Sequence, residues 1–327
     1  MRERPLMFKK CITLLLCILT LMPIVYADSQ EDTFVVGASF QTLNNEFYTT
    51  LSRSIKSYVE SNGGVYIAMD SQVNLQKQTS DVEDMVQIDC DIIIIAPIDT
   101  NGSIAAVNVC KDAGVPIICV NSGINSDYVS ATIETDNYLA GVLMAQYMVQ
   151  STEGTVYVGM MEYNLNDAGR ERSNGFLDTI ADYDRIKIVA RQECDTTTES
   201  AVSIAEDMMI AHPELNAFFS INDPTAYGIY SAAQGLNKEN DILIVSCDGC
   251  ADVLEWIRDG RIESTVTQLP WQMGQFAAKT ALDLLRGLPY DQQILVAPHI
   301  LTTENLHEYE HYFSEDGFIW PDNESSR

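Results

Sequence analysis

The chain has 327 residues, of which 19 are basic and 47 acidic, so its formal net charge at pH 7 is −28. This acidity excludes binding to nucleic acid or to an anionic membrane through a basic surface. The length exceeds that of one typical domain, so we expect two domains.

The first 27 residues have the features of an export signal. A basic head precedes an apolar, uncharged run from Cys11 to Met22, which Pro23 interrupts. Val25 and Ala27 then provide the small residues of a cleavage site, which predicts cleavage after Ala27 and a periplasmic or extracytoplasmic protein. The run is short for a membrane span, which needs about 20 residues, and an uncleaved anchor is the alternative. The remainder has 15 basic and 46 acidic residues, a net charge of −31.

From residue 33 onwards, short apolar runs alternate with helical patterns. The runs predict strands at Phe34–Ala38, Val65–Met69, Ile92–Ala96, Ile117–Val120, Val156–Met160, Ile186–Ala190, Ala217–Ile221 and Ile242–Cys247. Because they are unbroken, they indicate parallel sheets that are covered on both faces. The helical patterns between them, such as the one capped by Asp136, complete a series of βαβ units. We predict an α/β protein with doubly wound parallel sheets.

So many strands fit two sheets better than one, which predicts two lobes joined by a hinge. The division falls near Thr135, after a strand at Val129–Ile133, and Ser264–Gln268 has the pattern of a return crossing. The predicted first lobe is 33–135 with 269–297, and the second is 136–268 with 298–313; a polar tail, 314–327, follows. Ligands of such sheets lie at the carboxyl ends of the strands.

Polar and aromatic residues cluster at these predicted strand ends. The candidate ligand-binding residues are Asn45, Phe47, Tyr48, Asn121, Arg172, Asn222, Asp248 and Gln268. Amides both donate and accept hydrogen bonds, a carboxylate can accept from two hydroxyls, and a guanidinium donates to oxygen. Aromatic rings can stack on the apolar face of a ligand ring. The set favours a small ligand rich in hydroxyl groups, although Asn and Asp are also ordinary turn residues.

The six cysteines after the signal have no obvious disulfide framework. Most of them lie inside apolar strand or helix patterns, which predicts buried free thiols at Cys90, Cys110, Cys119, Cys194, Cys247 and Cys250. The spacing of Cys247 and Cys250 is that of a redox motif. It follows a strand rather than opening a helix, which disfavours a redox role.

Several of these segments together resemble the periplasmic ribose-binding protein family. The segments are Thr42–Asn45 with Phe47 and Tyr48, Met69–Gln72, Arg170–Arg172 with Gly175 and Phe176, Ala211–Pro213, Phe219–Asp223, Cys247–Gly249 and Thr267–Pro270. The similarity keeps the same order from about Phe34 to Tyr309. It implies a type I periplasmic-binding-protein fold that closes on a sugar. It also implies that the eight candidates contact the ligand.

The family's role would be to serve a membrane partner. The resemblance implies a monomer that presents its ligand to an ABC transporter permease, or that acts as a co-receptor for a membrane chemoreceptor or histidine kinase. No cofactor, metal or nucleic acid is expected.

The chain departs from the ribose binder at four positions. Asn121 and Ser122 stand where that protein has an Asp-Arg pair, Ala96 stands where it has an asparagine, and Thr196 stands near an aromatic position. A charge pair, an amide and a stacking face are therefore missing. Since an unpaired hydroxyl costs about 1–3 kcal/mol, we expect a ligand other than ribose.

Two other functions have some support in the sequence. His307–His311 matches the zinc-binding pattern H-E-x-x-H, but it lies in an acidic tail and no third histidine follows. A sugar-responsive transcription regulator shares the predicted core fold but needs a helix-turn-helix and a basic patch. We therefore expect a protein that is not an enzyme.

Overall fold

The computed structural model describes residues 33–309, 313–314 and 317–318. The predicted export signal, its cleavage site after Ala27 and most of the tail 314–327 lie outside these residues. Within the described ranges, no helix has both the length and the hydropathy needed to cross a membrane.

Six strands form the first sheet. In chain order they are β1 (Val35–Phe40), β2 (Val65–Asp70), β3 (Ile92–Ile95), β4 (Ile117–Val120), β5 (Ala131–Thr135) and β11 (Gln293–Val296). Their spatial order is β11-β5-β4-β3-β1-β2, and every neighbouring pair is parallel. The helices of this first lobe are α1 (Glu46–Ser61), α2 (Leu75–Gln87), α3 (Ile104–Ala113) and α9 (Pro270–Leu285).

The second sheet also has six strands. They are β6 (Val156–Glu162), β7 (Ile186–Glu193), β8 (Ala217–Ser220), β9 (Leu243–Asp248), β10 (Ser264–Thr267) and β12 (His299–Thr302). Their order is β12-β10-β9-β8-β6-β7, with only β12 antiparallel to its neighbour. The helices of this second lobe are α4 (Asn137–Ser151), α5 (Asp167–Ile180), α6 (Thr198–Ala211), α7 (Asp223–Gly235), α8 (Val253–Arg258) and α10 (Leu306–Tyr309). Beyond it, β13 (Phe313–Ser314) pairs with β14 (Gly317–Phe318).

The chain passes between the two sheets three times. It crosses after Thr135, after Thr267 and between Val296 and His299. The predicted fold class, two doubly wound parallel-sheet lobes, is confirmed. Because both sheets are parallel, the carboxyl ends of their strands form two edges at which polar residues collect.

Two of the predicted buried strands are in fact edge strands. β2 has no buried residue, and β7 has only Ile186 buried, whereas β3, β4 and β8 are buried throughout. An edge strand has a neighbour on one side only, so its side chains are covered less completely. An apolar run in the sequence does not distinguish an edge strand from a central strand, because the two differ in pairing and not in composition.

The six cysteines after the signal are buried, as predicted, and they are free thiols. They belong to the packing of the two lobes. Burial raises the pKa of both Cys247 and Cys250 above the ordinary value of a thiol. Neither is poised as a thiolate nucleophile, which agrees with the redox role being disfavoured.

Candidate functional site

A cavity of about 50 Å³ lies between the carboxyl ends of the two sheets. All eight candidate residues line it: Asn45, Phe47, Tyr48, Asn121, Arg172, Asn222, Asp248 and Gln268. Since a water needs about 10–15 Å³ of such space, the cavity has room for only a few waters. It suits a small molecule and excludes a polymer.

Two of the asparagines begin helices beside the cavity. Asn45 caps α1 by accepting a hydrogen bond from Phe47 N at 2.8 Å, and Asn222 caps α7 by accepting from Thr225 N at 3.0 Å. In both, the side-chain oxygen is committed to the helix. The amide group of Asn222 also donates to Thr196 O at 3.2 Å.

The wall of the first lobe is aromatic and uncharged. The rings of Phe47 and Tyr48 meet edge to face, with centroids 5.0 Å apart. Asn121 follows β4 in a left-handed conformation (φ 69°), and its Nδ2 donates to the Tyr48 hydroxyl at 3.1 Å. Its Oδ1 is buried and has no hydrogen-bond partner in the described part of the chain.

Arg172 supplies a buried positive charge from α5 in the second lobe. It is 4% exposed, and its two terminal nitrogens donate to Ile221 O and, at 2.8 Å, to Asn137 Oδ1. Both bonds are made within the second lobe, so they fix the guanidinium before any ligand arrives. Its Nε is buried and unpartnered among the described residues.

Asp248 supplies an acidic side chain at the end of β9 and is 3% exposed. Its Oδ1 accepts from Gln268 Nε2 at 2.6 Å, and Gln268 Oε1 accepts in turn from the Thr135 hydroxyl at 3.2 Å. Its Oδ2 is buried without a partner in the described ranges. Burial and the nearby Asp223 raise the pKa of Asp248 well above its ordinary value, while Arg172 and the bond from Gln268 oppose that shift.

Asp223 lies next to this pair but has a structural role. Its oxygens accept from Ser246 Oγ at 2.6 Å, Thr265 Oγ1 at 2.7 Å and Gly249 N at 3.0 Å. Burial raises its pKa to about 6. Asp223, Asp248 and Cys250 have potential metal ligands within 4.8 Å of one another. Because hydroxyl and N–H donors already occupy the Asp223 oxygens, this cluster is a hydrogen-bonded turn rather than a metal centre.

Sequence reasoning missed several residues that line the cavity. The cavity also includes Gln41, Tyr163 and Asn166. Gln41 directly follows β1, and Tyr163 directly follows β6. The strand-end rule could therefore have found both. Asn166 caps α5, accepting from Gly169 N at 2.9 Å.

The two lobes touch beside the cavity. The Tyr163 hydroxyl donates to Ile98 O at 3.0 Å, and Thr100 N donates to Leu165 O at 3.1 Å. The Thr100 hydroxyl accepts from Asp167 N at 3.0 Å. These bonds join the first lobe to the second, so the lobes are in a closed arrangement.

Three buried polar atoms of the cavity residues lack protein partners within the described residues. They are an amide acceptor, a carboxylate acceptor and a guanidinium donor: Asn121 Oδ1, Asp248 Oδ2 and Arg172 Nε. Such atoms cost free energy unless something pairs with them. A molecule with several hydroxyl groups can donate to the two acceptors and accept from the donor.

The zinc-like pattern at His307–His311 is only partly described. α10 ends at Tyr309, His307 is exposed, and His311 lies outside the described residues. The side chain of His307 is not among the cavity residues.

Comparison with known proteins identifies relatives along most of the chain. The family model described as a periplasmic binding protein domain matches residues 36–289. The ribose import binding protein of Bacillus subtilis is 32% identical over 272 residues, which cover 83% of this chain and 88% of that protein. The Escherichia coli ribose import binding protein is 29% identical, and the match covers 79% of this chain and 86% of that protein.

Solved structures share the fold. An ABC transporter solute binding protein from Bacillus halodurans, with bound myo-inositol, aligns with a TM-score of 0.79 at 24% identity, covering 85% of this chain and 98% of that one. A periplasmic solute binding protein from Actinobacillus succinogenes, with bound D-allose, aligns with a TM-score of 0.78 at 24% identity. The alignment covers 85% of this chain and 100% of that one. The family predicted from the sequence is confirmed: this chain belongs to the periplasmic binding proteins, with ribose import binding proteins among its relatives.

Proposed function

We propose that the protein captures a small sugar or polyol between its lobes by hinge closure and presents it to a membrane ABC transporter. The observation on which this rests is a set of three polar atoms in one cavity, Asn121 Oδ1, Arg172 Nε and Asp248 Oδ2, that have no partner among the described residues. The names of the relatives support it, since two are ribose import binding proteins. The solved structures with myo-inositol and D-allose agree with the ligand class.

The proposed contacts come from both lobes. From the first lobe, which we take as 33–135 with 269–297, Phe47 and Tyr48 stack on the ligand ring while Asn45 and Asn121 bond to hydroxyls. From the second lobe, taken as 136–268 with 298–313, the contacts are Arg172, Asn222, Asp248 and Gln268. A ligand that contacts both walls stabilises the closed arrangement, because it binds the open one less well.

Ribose is not the proposed ligand. The hydroxyl of Ser122 is already used, accepting from Ala168 N at 3.4 Å, and Ala96 offers no polar side chain. Thr196 lines the cavity but brings no aromatic face. A ligand with a different hydroxyl pattern fits these residues better.

The proposal includes no catalytic step. The cavity residues include one carboxylate, Asp248, and one guanidinium, Arg172; no histidine, cysteine or lysine is among those that the structure describes there. We further propose that the protein is exported, is cleaved after Ala27 and works as a monomer without nucleic acid.

A binding screen tests the proposal. The mature protein is heated with individual monosaccharides, polyols and related metabolites, and each compound that raises the melting temperature is measured by calorimetry. The screen should find at least one sugar or polyol, and small-angle scattering should then record a smaller radius of gyration at saturation. Failure of every compound, or binding without any change of radius, would contradict capture by closure.

A further inference from the structure

Two carboxyl groups meet across the contact between the lobes. Glu46 is the first residue of α1 in the first lobe, and Asp252 immediately precedes α8 in the second. Glu46 Oε1 accepts from Ala251 N at 3.3 Å, which brings its carboxyl group beside Asp252, the next residue along the second lobe. We call Glu46 and Asp252 the acid pair.

Two neighbouring carboxylates repel each other, so a proton on one of them is favoured. Asp252 Oδ1 already accepts from the Tyr227 hydroxyl at 2.7 Å, and the Asp252 side chain is exposed. The proton therefore belongs on Glu46, which is half-buried in this contact. Burial and the charge of Asp252 raise the pKa of Glu46 from 4.5 to about 7.

We propose that the acid pair couples closure of the lobes to the uptake of a proton by Glu46, so that the protein closes more readily as the pH falls. When the lobes separate, Glu46 leaves Ala251 and Asp252 and returns to water, where an ionised carboxylate is favoured. When they close, a proton on Glu46 removes the repulsion between two carboxylates. The inference rests on the proposed hinge closure but not on the identity of the sugar.

The direction of the pH dependence of closure follows from the pKa of Glu46 in the open and closed states. Its pKa is raised in the closed state, so the stabilisation of closure is complete below the ordinary value of 4.5 and is lost as the pH rises through about 7. One proton changes the closed-to-open ratio by at most about tenfold per pH unit. Because Asp252 is exposed, solvent screens the pair, and we expect about fivefold to tenfold between about pH 5 and pH 8.

Other titratable groups face the acid pair from the second lobe. Cys250 and Tyr227 have raised pKa values and stay protonated in this range. Asp223 has a pKa of about 6 and lies near Asp252, and the buried Asp248 lies close to Cys250. The hydrogen bonds that hold Asp223 all come from its own lobe, so separation of the lobes does not break them. Variants of Glu46 therefore isolate the contribution of this residue to the pH dependence of closure.

The experiment measures closure directly, without any sugar. Spin labels are attached at Gln76→Cys on α2 and Glu199→Cys on α6, two exposed positions on opposite lobes, and the distance between the labels is measured from about pH 5 to pH 8. The six described cysteines are buried and should not be labelled, and the mature protein is used so that Cys11 and Cys17 are absent. The same measurement is made in Glu46→Gln, in Asp252→Asn and in a control, Glu60→Gln, an exposed carboxylate on the same helix.

We expect the short-distance population to grow in the parent and in Glu60→Gln as the pH falls. Glutamine at position 46 keeps an oxygen for Ala251 N and donates permanently to Asp252. Glu46→Gln should therefore close as readily at the alkaline end as at the acidic end, and Asp252→Asn should flatten the response as well. A parent population that does not change with pH, or a Glu46→Gln variant that retains the parent's response, would overturn the proposal. Neither result bears on whether a sugar binds.

Discussion

The two walls of the cavity differ in chemistry and in how firmly they are held. The first-lobe wall is neutral, with Phe47, Tyr48 and Asn121. The second-lobe wall has the charged pair, Arg172 and Asp248. Both of these side chains are anchored by hydrogen bonds that need no ligand, whereas among the described residues the Asn121 side chain bonds only to the Tyr48 hydroxyl on the same wall.

We therefore expect one lobe to supply most of the affinity for the ligand and the other lobe to select the ligand by its shape. Charge-assisted hydrogen bonds are about twice as strong as neutral ones, so the second wall should supply most of the binding free energy. The first wall adds a flat apolar surface that selects ligands by shape. The anchor of Asp248 reaches Thr135 through Gln268, and both of these residues stand where the chain crosses between the sheets. The contact that we expect to be strongest is thus linked to the segments where the chain crosses between the sheets.

The largest loss of affinity should follow Asp248→Ala. The change removes the one carboxylate among the described cavity residues and leaves ligand hydroxyls without an acceptor, at a cost of about 2–4 kcal/mol, or about 30-fold to 1000-fold in affinity. Asp248→Asn keeps an oxygen for Gln268 and should lose less. Calorimetry with a sugar from the screen measures the affinity. A melting curve tests the alternative, that Asp248 only shapes the turn at Gly249 and changes stability alone.

Arg172→Ala should weaken binding by about tenfold to 100-fold, since a hydrogen bond to a charged group contributes about 1.5–3 kcal/mol. It should also lower the melting temperature, because Ile221 O and Asn137 Oδ1 lose their donors. Arg172→Lys keeps the charge but not the planar fork, so its affinity should lie between that of Arg172→Ala and that of the parent. If Arg172→Ala and Asp248→Ala both bind within about twofold of the parent, the assignment of affinity to the second wall is wrong.

Much of the fold and of the cavity could be predicted because parallel sheets leave a strong pattern in sequence. Central strands such as Ile92–Ile95 are unbroken apolar runs, and cavity-lining residues such as Asn121 and Asp248 come at strand ends. Strand order is not encoded locally. The edge position of β2 and the short strands β11 and β12 therefore escaped prediction.

The finer features of the site depend on contacts between segments distant in sequence. Which oxygen of Asp248 remains unpartnered depends on Gln268, and the meeting of Glu46 with Asp252 depends on how two lobes come together. Neither property has a signature within one stretch of chain. Gln41 and Tyr163 are a different case. The rule that ligands lie at the carboxyl ends of strands would have found both residues had it been applied to every strand.

Phe47→Ala should cost more stability than affinity. Its ring is 2% exposed and packs in the first-lobe core, so the loss of stability should be about 3–5 kcal/mol, as for other buried phenylalanines. The stacking contribution is smaller, about 0.5–1.5 kcal/mol, or about twofold to tenfold in affinity. Phe47→Leu fills more of the space and should recover stability but not stacking. Equal affinity in Phe47→Leu and the parent would mean that the Phe47 ring does not stack on the ligand.

The smallest effect should come from Tyr48→Phe, which tests whether hydrogen bonding on the neutral wall matters. The change keeps the ring against Phe47 but removes the acceptor of Asn121 Nδ2, so the amide can turn away from the geometry in which its Oδ1 lies buried. A neutral hydrogen bond contributes about 1 kcal/mol, which predicts a loss of about threefold to fivefold in affinity. Tyr66→Phe is the matched control, because that hydroxyl bonds to Ser52 at 2.9 Å, away from the cavity. Calorimetry on both variants should record a loss only in Tyr48→Phe. An equal loss in the two would mean that the hydroxyls act through general stability, and a loss as large as that of Asp248→Ala would mean that the neutral wall contributes as much affinity as the charged one.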